Sequence, residues 1–322
     1  MKTVPFVCNR VRINYCELYV VVIQSFPMKG KTIKAYAKIN LGLDVVGRRD
    51  NGYHDVDMIM QTIDIHDIVG ISCEEVNIAD NRIYMGVSQH SYGEELSGGD
   101  DNLCIKAAKA LLEATGTNGY DIDISLEKHI PIAAGMAGGS TDAAAVLILL
   151  NELCETGLFV DELCGIGVKL GADIPFCIRG GCMRAQGIGE ELRAISPVPE
   201  WDVLIAKPPI AVSTAEVYKR SDAAMDVRHP DIDALEQAIV RDDIMGACSV
   251  MGNVLEAVTR DMHPVIGEIE ATMAACGAIR AMMTGSGPTV FGIYPNSETC
   301  EKAAEVLKEK GLCPEVFATK TR

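Results

Sequence analysis

The segment PIAAGMAGGSTD, at residues 131–142, constrains the fold of this chain more than any other. It follows a run of alternating apolar residues at 120–126 and leads into an apolar stretch at 141–155 that is typical of a buried helix. Three glycines and three alanines within nine residues keep bulky side chains off the backbone, so N–H groups can approach an anion closely. The segment therefore predicts a phosphate-binding loop at the positive end of a helix dipole. A tight strand-to-helix turn without a ligand is the alternative.

Two common nucleotide loops do not fit this segment. The Walker pattern G-x-x-x-x-G-K-S/T is absent. Gly135, Gly138 and Gly139 have the wrong spacing for the dinucleotide fingerprint, and no acidic residue ends a second strand about 20 residues further on.

The rest of the chain mixes strands with helices. Apolar residues and alanines occupy every odd position from 33 to 45, which predicts a strand or strand pair. Residues 50–52 then predict a tight turn, 58–73 a second strand region and 86–101 a polar loop. Further strands are expected at 120–126, 203–206, 289–294 and 316–318. Helices are expected at 103–115 (capped by Asn102 and ended by Gly116), 141–155, 161–170, 214–222, 231–240, 243–258, 263–276 and 297–310.

This order of elements predicts an α+β protein with two domains. Pro197 and Pro199 fall in an expected linker near 194–200, which gives domains at 31–194 and 195–322. Residues 1–27 show no sustained period, and we expect 1–30 to be a disordered or non-native N-terminal extension. Either translation starts at Met28 or the first 27 residues are dispensable.

Charge and cysteine usage limit the partners and the compartment. The formal net charge of −16 argues against binding to nucleic acid or to an anionic membrane, and no apolar run is long enough to span a bilayer. The 12 cysteines form no C-x-x-C pair and are scattered through apolar runs, which indicates buried thiols in a reducing compartment and no structural zinc site. We therefore expect a cytoplasmic protein, and its charge does not exclude a small-molecule anion held by backbone N–H groups. Its oligomeric state stays open.

Three segments together resemble the motifs of GHMP kinases, a family that includes galactokinase, homoserine kinase and mevalonate kinase. They are KINLGL at 38–43, the glycine-rich segment at 131–141, and MTGSGPTVF at 283–291. The resemblance implies an N-terminal ribosomal-protein-S5-like domain, a C-terminal ferredoxin-like domain, a site between them, and ATP as phosphoryl donor with Mg²⁺ bridging its phosphates. The ATP-binding residues it implies are Pro131, Ile132, Ala133, Ala134, Gly135, Met136, Ala137, Gly138, Gly139, Ser140 and Thr141.

The same resemblance implies that Lys38 and Asp142 form the catalytic pair. Asp142 falls in the first turn of the predicted helix, where the helix dipole would keep its carboxylate ionised; merely capping the helix is the alternative. Lys38 falls on the strand face opposite the apolar positions, and a solvent-facing lysine is the alternative there. In the pair, Lys38 would lower the pKa of the attacking hydroxyl and of Asp142, which would take the proton.

The segment GRRDNGYH at 47–54 is similar to one in the GHMP branch that phosphorylates the 2-hydroxyl of a CDP-linked methylerythritol in non-mevalonate isoprenoid synthesis. Tyr53 would stack on the pyrimidine and His54 would bond its polar edge, whereas packing beside the turn is the alternative. Arg184 is a candidate for the second face of the ring, since the resemblance places that face near 182–185. The expected substrate-binding residues are Asn40, Tyr53, His54, Asp173, Gly285 and Ser286, and the spacing of residues names no protein ligand for Mg²⁺. Another GHMP kinase, of the homoserine or phosphomevalonate type, and a non-catalytic nucleotide-binding protein are the rival functions.

Overall fold

The computed structural model describes residues 29–50, 52–76, 78–91, 96–223 and 228–322. Residues 1–28 of the expected N-terminal extension, and Asn51 of the expected turn, lie outside the described residues. The described chain contains two sheets with helices packed on them. The first sheet contains β1 (Lys29–Arg48), β2 (His54–Glu75), β3 (Arg82–Gln89), β4 (Tyr120–Lys128), β5 (Cys182–Gln186) and β6 (Glu191–Ala194). The second contains β7 (Asp202–Lys207), β8 (Arg280–Met283), β9 (Val290–Tyr294) and β10 (Glu315–Lys320).

The helices that precede β5 along the chain form a first unit with the first sheet, and those that follow β7 form a second unit with the second sheet. The first unit carries α1 (Leu103–Thr115), α2 (Gly138–Leu153), α3 (Val160–Gly167) and α4 (Ile174–Arg179). The second carries α5 (Thr214–Ser221), α6 (Ile232–Val240), α7 (Ile244–Val250), α8 (Glu256–Met262), α9 (Val265–Ala275) and α10 (Ser297–Lys310).

The long strand β2 organises the first sheet. It pairs antiparallel with β1 on one edge, and with β4 and then β5 on the other, so the order is β3-β4-β2-β5-β6. The period of two predicted at 33–45 is confirmed as a strand, but residues 37–44 are buried on both faces. This happens because α2 contacts β1 within the first unit while α6 of the second unit also contacts it. Lys38 is consequently only 5% exposed, so the solvent-facing alternative for this lysine is wrong.

Helices α1 and α2 form the core of the first unit. The Asn102 side chain accepts a hydrogen bond from the backbone N–H of Cys104, and Gly116 ends α1 with a φ of 65°, as the sequence predicts. Helix α2 begins at Gly138, earlier than the predicted Thr141, because Thr141 N–H already donates to Ala137 C=O at 2.9 Å. The glycine-rich segment therefore leads directly into the helix.

The second sheet is antiparallel, with the order β10-β7-β9-β8, and α9 and α10 pack on it. The two units are joined through the backbone. Ile63 of β2 forms a bridge with Thr321, and Arg322 N–H donates to Thr62 C=O at 2.9 Å. A second bridge joins Leu43 of β1 to Asn253. The motifs on β1 and in the second unit are thereby held against each other.

Two predicted elements differ from the structure. Residues 86–101 were expected to be a loop, but β3 extends to Gln89 as a parallel partner of β4; its polar residues are tolerated because the strand lies at the sheet edge. The single helix expected at 243–258 is divided into α7 and α8. The chain leaves the helix there because Leu43 N–H donates to Gly252 C=O and Val254 N–H donates to Leu43 C=O, which pairs this segment with β1.

Apart from β3, the elements that the sequence did not predict are short. Helix α4 and strands β5, β6 and β8 have six residues or fewer, too few for an apolar period to stand out. Within the described part of the chain, no helix has the length and apolar character needed to cross a bilayer.

Candidate active site

The glycine-rich segment adopts a conformation suited to an anion. Ala133, Gly135 and Ala137 all have positive φ, at 52°, 71° and 58°, and they alternate with residues of ordinary φ. Left-handed and right-handed residues in alternation turn successive N–H groups toward one side and form an anion-binding concavity. An alanine rarely adopts a positive φ, so strain is held here by the surrounding structure. Ala137 caps α2 without a side-chain acceptor, which leaves the N–H groups of the first turn available to a ligand.

A cavity of about 480 Å³ opens beside this loop, which is within the range of small-molecule sites. Its wall is formed by the loop, by the first residues of α1 and by the end of β4. The lining residues outside the loop are Leu96, Ser97, Asp101, Asn102, Leu103, Cys104, Leu126, Lys128 and Asp142. The residues predicted to bind ATP line this cavity, with the exception of Thr141. Thr141 is buried in the first turns of α2.

The three motifs meet at one place. Asn40 N–H donates to the Thr284 hydroxyl at 2.9 Å, and Lys38 N–H donates to Met136 C=O at 3.2 Å. A side chain at Gly135 would place its Cβ 2.8 Å from Thr284 C=O, and one at Gly285 would lie 3.0 Å from Gly135 C=O. Only glycine permits this approach, so the loops of the first and second units are in backbone contact. Near them, the hydroxyls of Ser286 and Thr214 are 2.8 Å apart.

Lys38 lies beside Asp173, at the start of α4. Lys38 Nζ donates to Asn40 Oδ1 at 2.7 Å and is 3.8 Å from Asp173 Oδ2. The Asp173 side chain is 31% exposed and makes no capping hydrogen bond to α4, so its carboxylate is accessible to a ligand. The lysine, by contrast, is enclosed by protein. The pair thus consists of a buried cation and a partly exposed carboxylate.

Asp142 has a different partner from the one expected. It is 2% exposed, and its Oδ2 accepts a hydrogen bond from Lys128 Nζ at 2.7 Å. Lys128 also donates to the buried Asp67, whose other oxygen accepts from the backbone N–H groups of His129 and Ile130. The three side chains form a buried triad beneath the phosphate loop, where Lys128 Nζ lies 2.9 Å from the Cβ position of Gly138.

The electrostatics of this triad also differ from the expectation. Burial raises the pKa of Asp142 to about 8, the charge on Asp67 acts in the same direction, and Lys128 opposes them. The prediction that a helix dipole keeps Asp142 ionised therefore omitted the larger effect, which is desolvation. Burial alone would lower the pKa of Lys128, yet Asp142 and Asp67 raise it above its usual value, so this lysine stays charged.

The expected pyrimidine subsite contains an aromatic residue that the sequence did not reveal. Tyr53 is 58% exposed, while His54 packs against Tyr218 of α5 with ring centroids 4.8 Å apart. His54 Nε2 is also 2.7 Å from Asp222 Oδ1. Burial, followed by the negative charge of Asp173, raises the pKa of Tyr218 to about 12, so the phenol is neutral and close to the Lys38–Asp173 pair. In the sequence, Tyr218 appears only as one packing residue of an amphipathic helix.

Arg184 is held by three carboxylates. Its Nε and Nη2 bond both oxygens of Asp57, at 2.8 and 2.5 Å, and its Nη1 bonds Asp233 and Glu236. A guanidinium held in this way joins β5 to β2 and α6. Arg184 as the second face of the ring subsite stays a prediction, since hydrogen bonds in the plane of a guanidinium leave its faces available for stacking.

Comparisons with known proteins agree with the three motifs. Residues 102–181 match the family model for the GHMP kinases N terminal domain, and residues 228–312 match that for GHMP kinases C terminal. The crystal structure of a homoserine kinase from Cytophaga hutchinsonii has the same fold, with a TM-score of 0.70 at 16% identity over 95% of this chain and 97% of that one. The chain is thus a kinase of the GHMP family, and the predicted α+β fold of two domains is confirmed.

Several relatives and one solved structure share the name of a single kind of GHMP kinase. Curated relatives named 4-diphosphocytidyl-2-C-methyl-D-erythritol kinase include one from Lachnospira eligens, 44% identical over 91% of this chain and 99% of its own length. Another, from Clostridium beijerinckii, is 42% identical over 90% and 99%. The crystal structure of a 4-(cytidine 5'-diphospho)-2C-methyl-D-erythritol kinase superposes with a TM-score of 0.73 at 29% identity, over 90% of this chain and 99% of that one.

Proposed function

We propose that this chain transfers the γ-phosphoryl group of ATP to the 2-hydroxyl of 4-diphosphocytidyl-2-C-methyl-D-erythritol, a step of the non-mevalonate isoprenoid pathway. The observation that carries the proposal is the juxtaposition of three parts: the phosphate loop, the Lys38–Asp173 pair, and the aromatic group of His54 and Tyr218. A phosphoryl donor, an acceptor hydroxyl and a pyrimidine each have a suitable subsite. The relatives named for this substrate support the same assignment.

The donor end consists of the loop at 131–141. Its N–H groups and the first turn of α2 suit the β- and γ-phosphates, and the adjoining cavity suits the nucleoside. Mg²⁺ is proposed to accompany ATP and to neutralise the charge on its phosphates. The residues fit such a cation through Ser140, whose hydroxyl borders the cavity and lies 3.8 Å from the Cβ position of Gly171, near Asp173. Mg²⁺ keeps most of its ligands as water and phosphate oxygens, so one hydroxyl is a sufficient contribution from the protein.

The reacting groups are proposed to be Lys38 and Asp173. Asp173 accepts the proton of the substrate hydroxyl as the hydroxyl oxygen bonds to the γ-phosphorus and the bond from that phosphorus to the β,γ-bridging oxygen breaks. The ammonium of Lys38 stabilises the negative charge that develops on the attacking oxygen and on the transferred group. Asn40 orients this lysine through the 2.7 Å hydrogen bond. Asp142, which the sequence suggested as the base, instead supports the loop from beneath together with Lys128.

The acceptor end is proposed to bind the pyrimidine between Tyr53 and Tyr218. His54 contacts Tyr218 and is fixed by Asp222, which suits a hydrogen bond to the polar edge of the ring. Gly285, which lies against Gly135, and Ser286, whose hydroxyl is 2.8 Å from that of Thr214, are proposed to contribute to substrate binding from the second unit. We also propose domain boundaries at 31–194 and 195–322, which put the phosphate loop, Lys38 and Asp173 on the first domain and Tyr218, Gly285 and Ser286 on the second. A cytoplasmic location without nucleic-acid or membrane partners is proposed as well, consistent with the net charge of −16.

The test is ADP release with a panel of acceptors. We expect turnover with 4-diphosphocytidyl-2-C-methyl-D-erythritol and none with homoserine or phosphomevalonate. The uncytidylated 2-C-methyl-D-erythritol 4-phosphate is the matched control, because it keeps the hydroxyl and lacks the pyrimidine. Equal kcat/KM for the two methylerythritol compounds would contradict the pyrimidine subsite, and turnover of homoserine would contradict the substrate.

A further inference from the structure

We propose that His90, Glu127 and His129 form a binding site for a divalent transition-metal cation of the zinc class. The three side chains lie on the outer face of the first sheet, at the end of β3 and β4, and no step of the proposed phosphoryl transfer uses them. Their ligand atoms all lie within 4.8 Å of one another.

Strand pairing brings the three residues together. The parallel register aligns Ser88 with Glu127, and His90 N–H donates to Lys128 C=O at 2.8 Å, so His90 continues the pairing next to His129. Because side chains alternate between the faces of a strand, Lys128 points inward to Asp142 while its two neighbours point outward. The cluster is therefore fixed by the backbone of two hydrogen-bonded strands.

The distances match the spacing of metal ligands. Glu127 Oε1 is 3.0 Å from His129 Nε2 and 3.6 Å from His90 Nε2. A tetrahedral zinc ion with bonds of about 2.0–2.1 Å separates its ligand atoms by roughly 3.3 Å. The imidazole rings are stacked 4.9 Å apart at an angle of 9°, and each must tilt to point its Nε2 lone pair at the shared position. The exposed fractions of the side chains, 53% for His90 and 39% for His129, leave room for that movement.

The donor set selects the kind of ion. Two imidazole nitrogens and one carboxylate are a ligand set of zinc sites that keep an open fourth position. Mg²⁺ and Ca²⁺ prefer oxygen ligands and would bind such a set poorly, which separates this site from the Mg²⁺ proposed with ATP. Glu127 is 45% exposed, so an ion has direct access from solvent.

A bound ion would link the ends of β3 and β4 next to the nucleotide cavity, because the residue after His129 leads into the phosphate loop and Lys128 lines that cavity. The ion would add a cross-link to the folded state only, and would therefore stabilise it. The Lys38–Asp173 pair would be untouched.

The experiment is a thermal unfolding series with ZnCl₂, without nucleotide or Mg²⁺, on the full chain and on His90→Ala and His129→Ala. We expect zinc at about 100 times its dissociation constant to raise the Tm of the wild type by several degrees. Each variant should lose that rise, and its zinc affinity measured by calorimetry should fall by at least ~10-fold. Both side chains are partly exposed, so the Tm without zinc should match the wild type.

His263→Ala is the matched control, since His263 follows α8 in the second unit and is not part of the cluster. It should keep the full zinc response. Because cysteines also bind zinc, Co²⁺ is added in place of zinc and the absorption spectrum recorded. A thiolate-to-cobalt charge-transfer band, or an equal zinc response in His90→Ala and the wild type, would overturn the proposal.

Discussion

Lys38 Nζ lies 3.8 Å from Asp173 Oδ2, between a strand of the first sheet and the start of α4. This separation is longer than a direct hydrogen bond, and a hydroxyl oxygen can lie about 2.8 Å from both atoms at once. In that position the hydroxyl donates its proton to the carboxylate while its oxygen faces the ammonium. The separation therefore suits the roles proposed for Asp173 as general base and for Lys38 as the cation beside an acceptor alcohol.

The first prediction compares Asp173 with Asp142. Asp173→Asn removes the proton acceptor, and we expect kcat to fall about 10²–10⁴-fold with little change in the KM for ATP. Asp142→Asn should keep kcat within about 10-fold, because an amide oxygen can still accept the hydrogen bond from Lys128. Steady-state kinetics measure both. If Asp142→Asn is the slow variant and Asp173→Asn is active, the base has been assigned to the wrong residue.

The sequence indicated the phosphate loop and the fold, because both depend on local patterns: glycine spacing, strand alternation and helix caps. It did not reveal which carboxylate faces Lys38. Asp173 stands at the start of α4 and Asp142 is the fifth residue of α2, and the packing of α4 against β1, which the sequence does not show, separates the exposed carboxylate from the buried one. Tyr218 was missed for a similar reason, since its contact with His54 joins two units through tertiary structure alone.

The second prediction concerns the pyrimidine subsite. Tyr218→Ala should raise the KM for the cytidylated substrate by about 5–150-fold, because stacking on an aromatic ring contributes about 1–3 kcal/mol per base. The KM for ATP should change little. Tyr218→Phe is the control: it keeps the ring and removes a hydroxyl that stays protonated in the enzyme, so its KM should stay near that of the wild type.

A Tyr53→Ala variant extends this test, since Tyr53 is 58% exposed and its loss should leave the fold intact. A selective rise in the KM for ATP in either alanine variant would show that the aromatic residues serve the donor and not the acceptor.

The third prediction concerns the buried triad. Lys128→Met leaves Asp67 and Asp142 buried without their cation, and we expect the free energy of unfolding to fall by about 3–5 kcal/mol in urea denaturation. Measured at pH 9, where the Asp142 carboxyl with its pKa of about 8 is ionised in the wild type, Lys128→Met combined with Asp142→Asn should recover part of that loss, because one buried carboxylate has been removed. Lys109→Met, which breaks an exposed pair with Asp100, should change stability by less than about 1 kcal/mol. An equal effect in the two lysine variants would contradict a special role for the triad.

The fourth prediction uses a pair of half-buried carboxylates, Glu256 and Glu270, on helices α8 and α9. Glu256 accepts a hydrogen bond from Met283 N–H at 2.8 Å, next to the third motif. Burial raises the pKa of Glu270 to about 8, and the charge on Glu256 acts in the same direction. Between about pH 4.5 and 8 the folded protein therefore binds more protons at Glu270 than the unfolded chain does, so this residue makes stability fall as the pH rises.

Glu270→Gln replaces the protonated carboxyl with a neutral group of the same shape. Relative to the wild type, the variant should gain stability progressively from pH 5 to pH 8, as measured by urea denaturation at a series of pH values. Glu268→Gln, at an exposed position on the same helix, is the matched control and should leave the pH profile unchanged. A difference between wild type and Glu270→Gln that stays constant across this range would mean that Glu270 keeps the same charge in the folded and unfolded states.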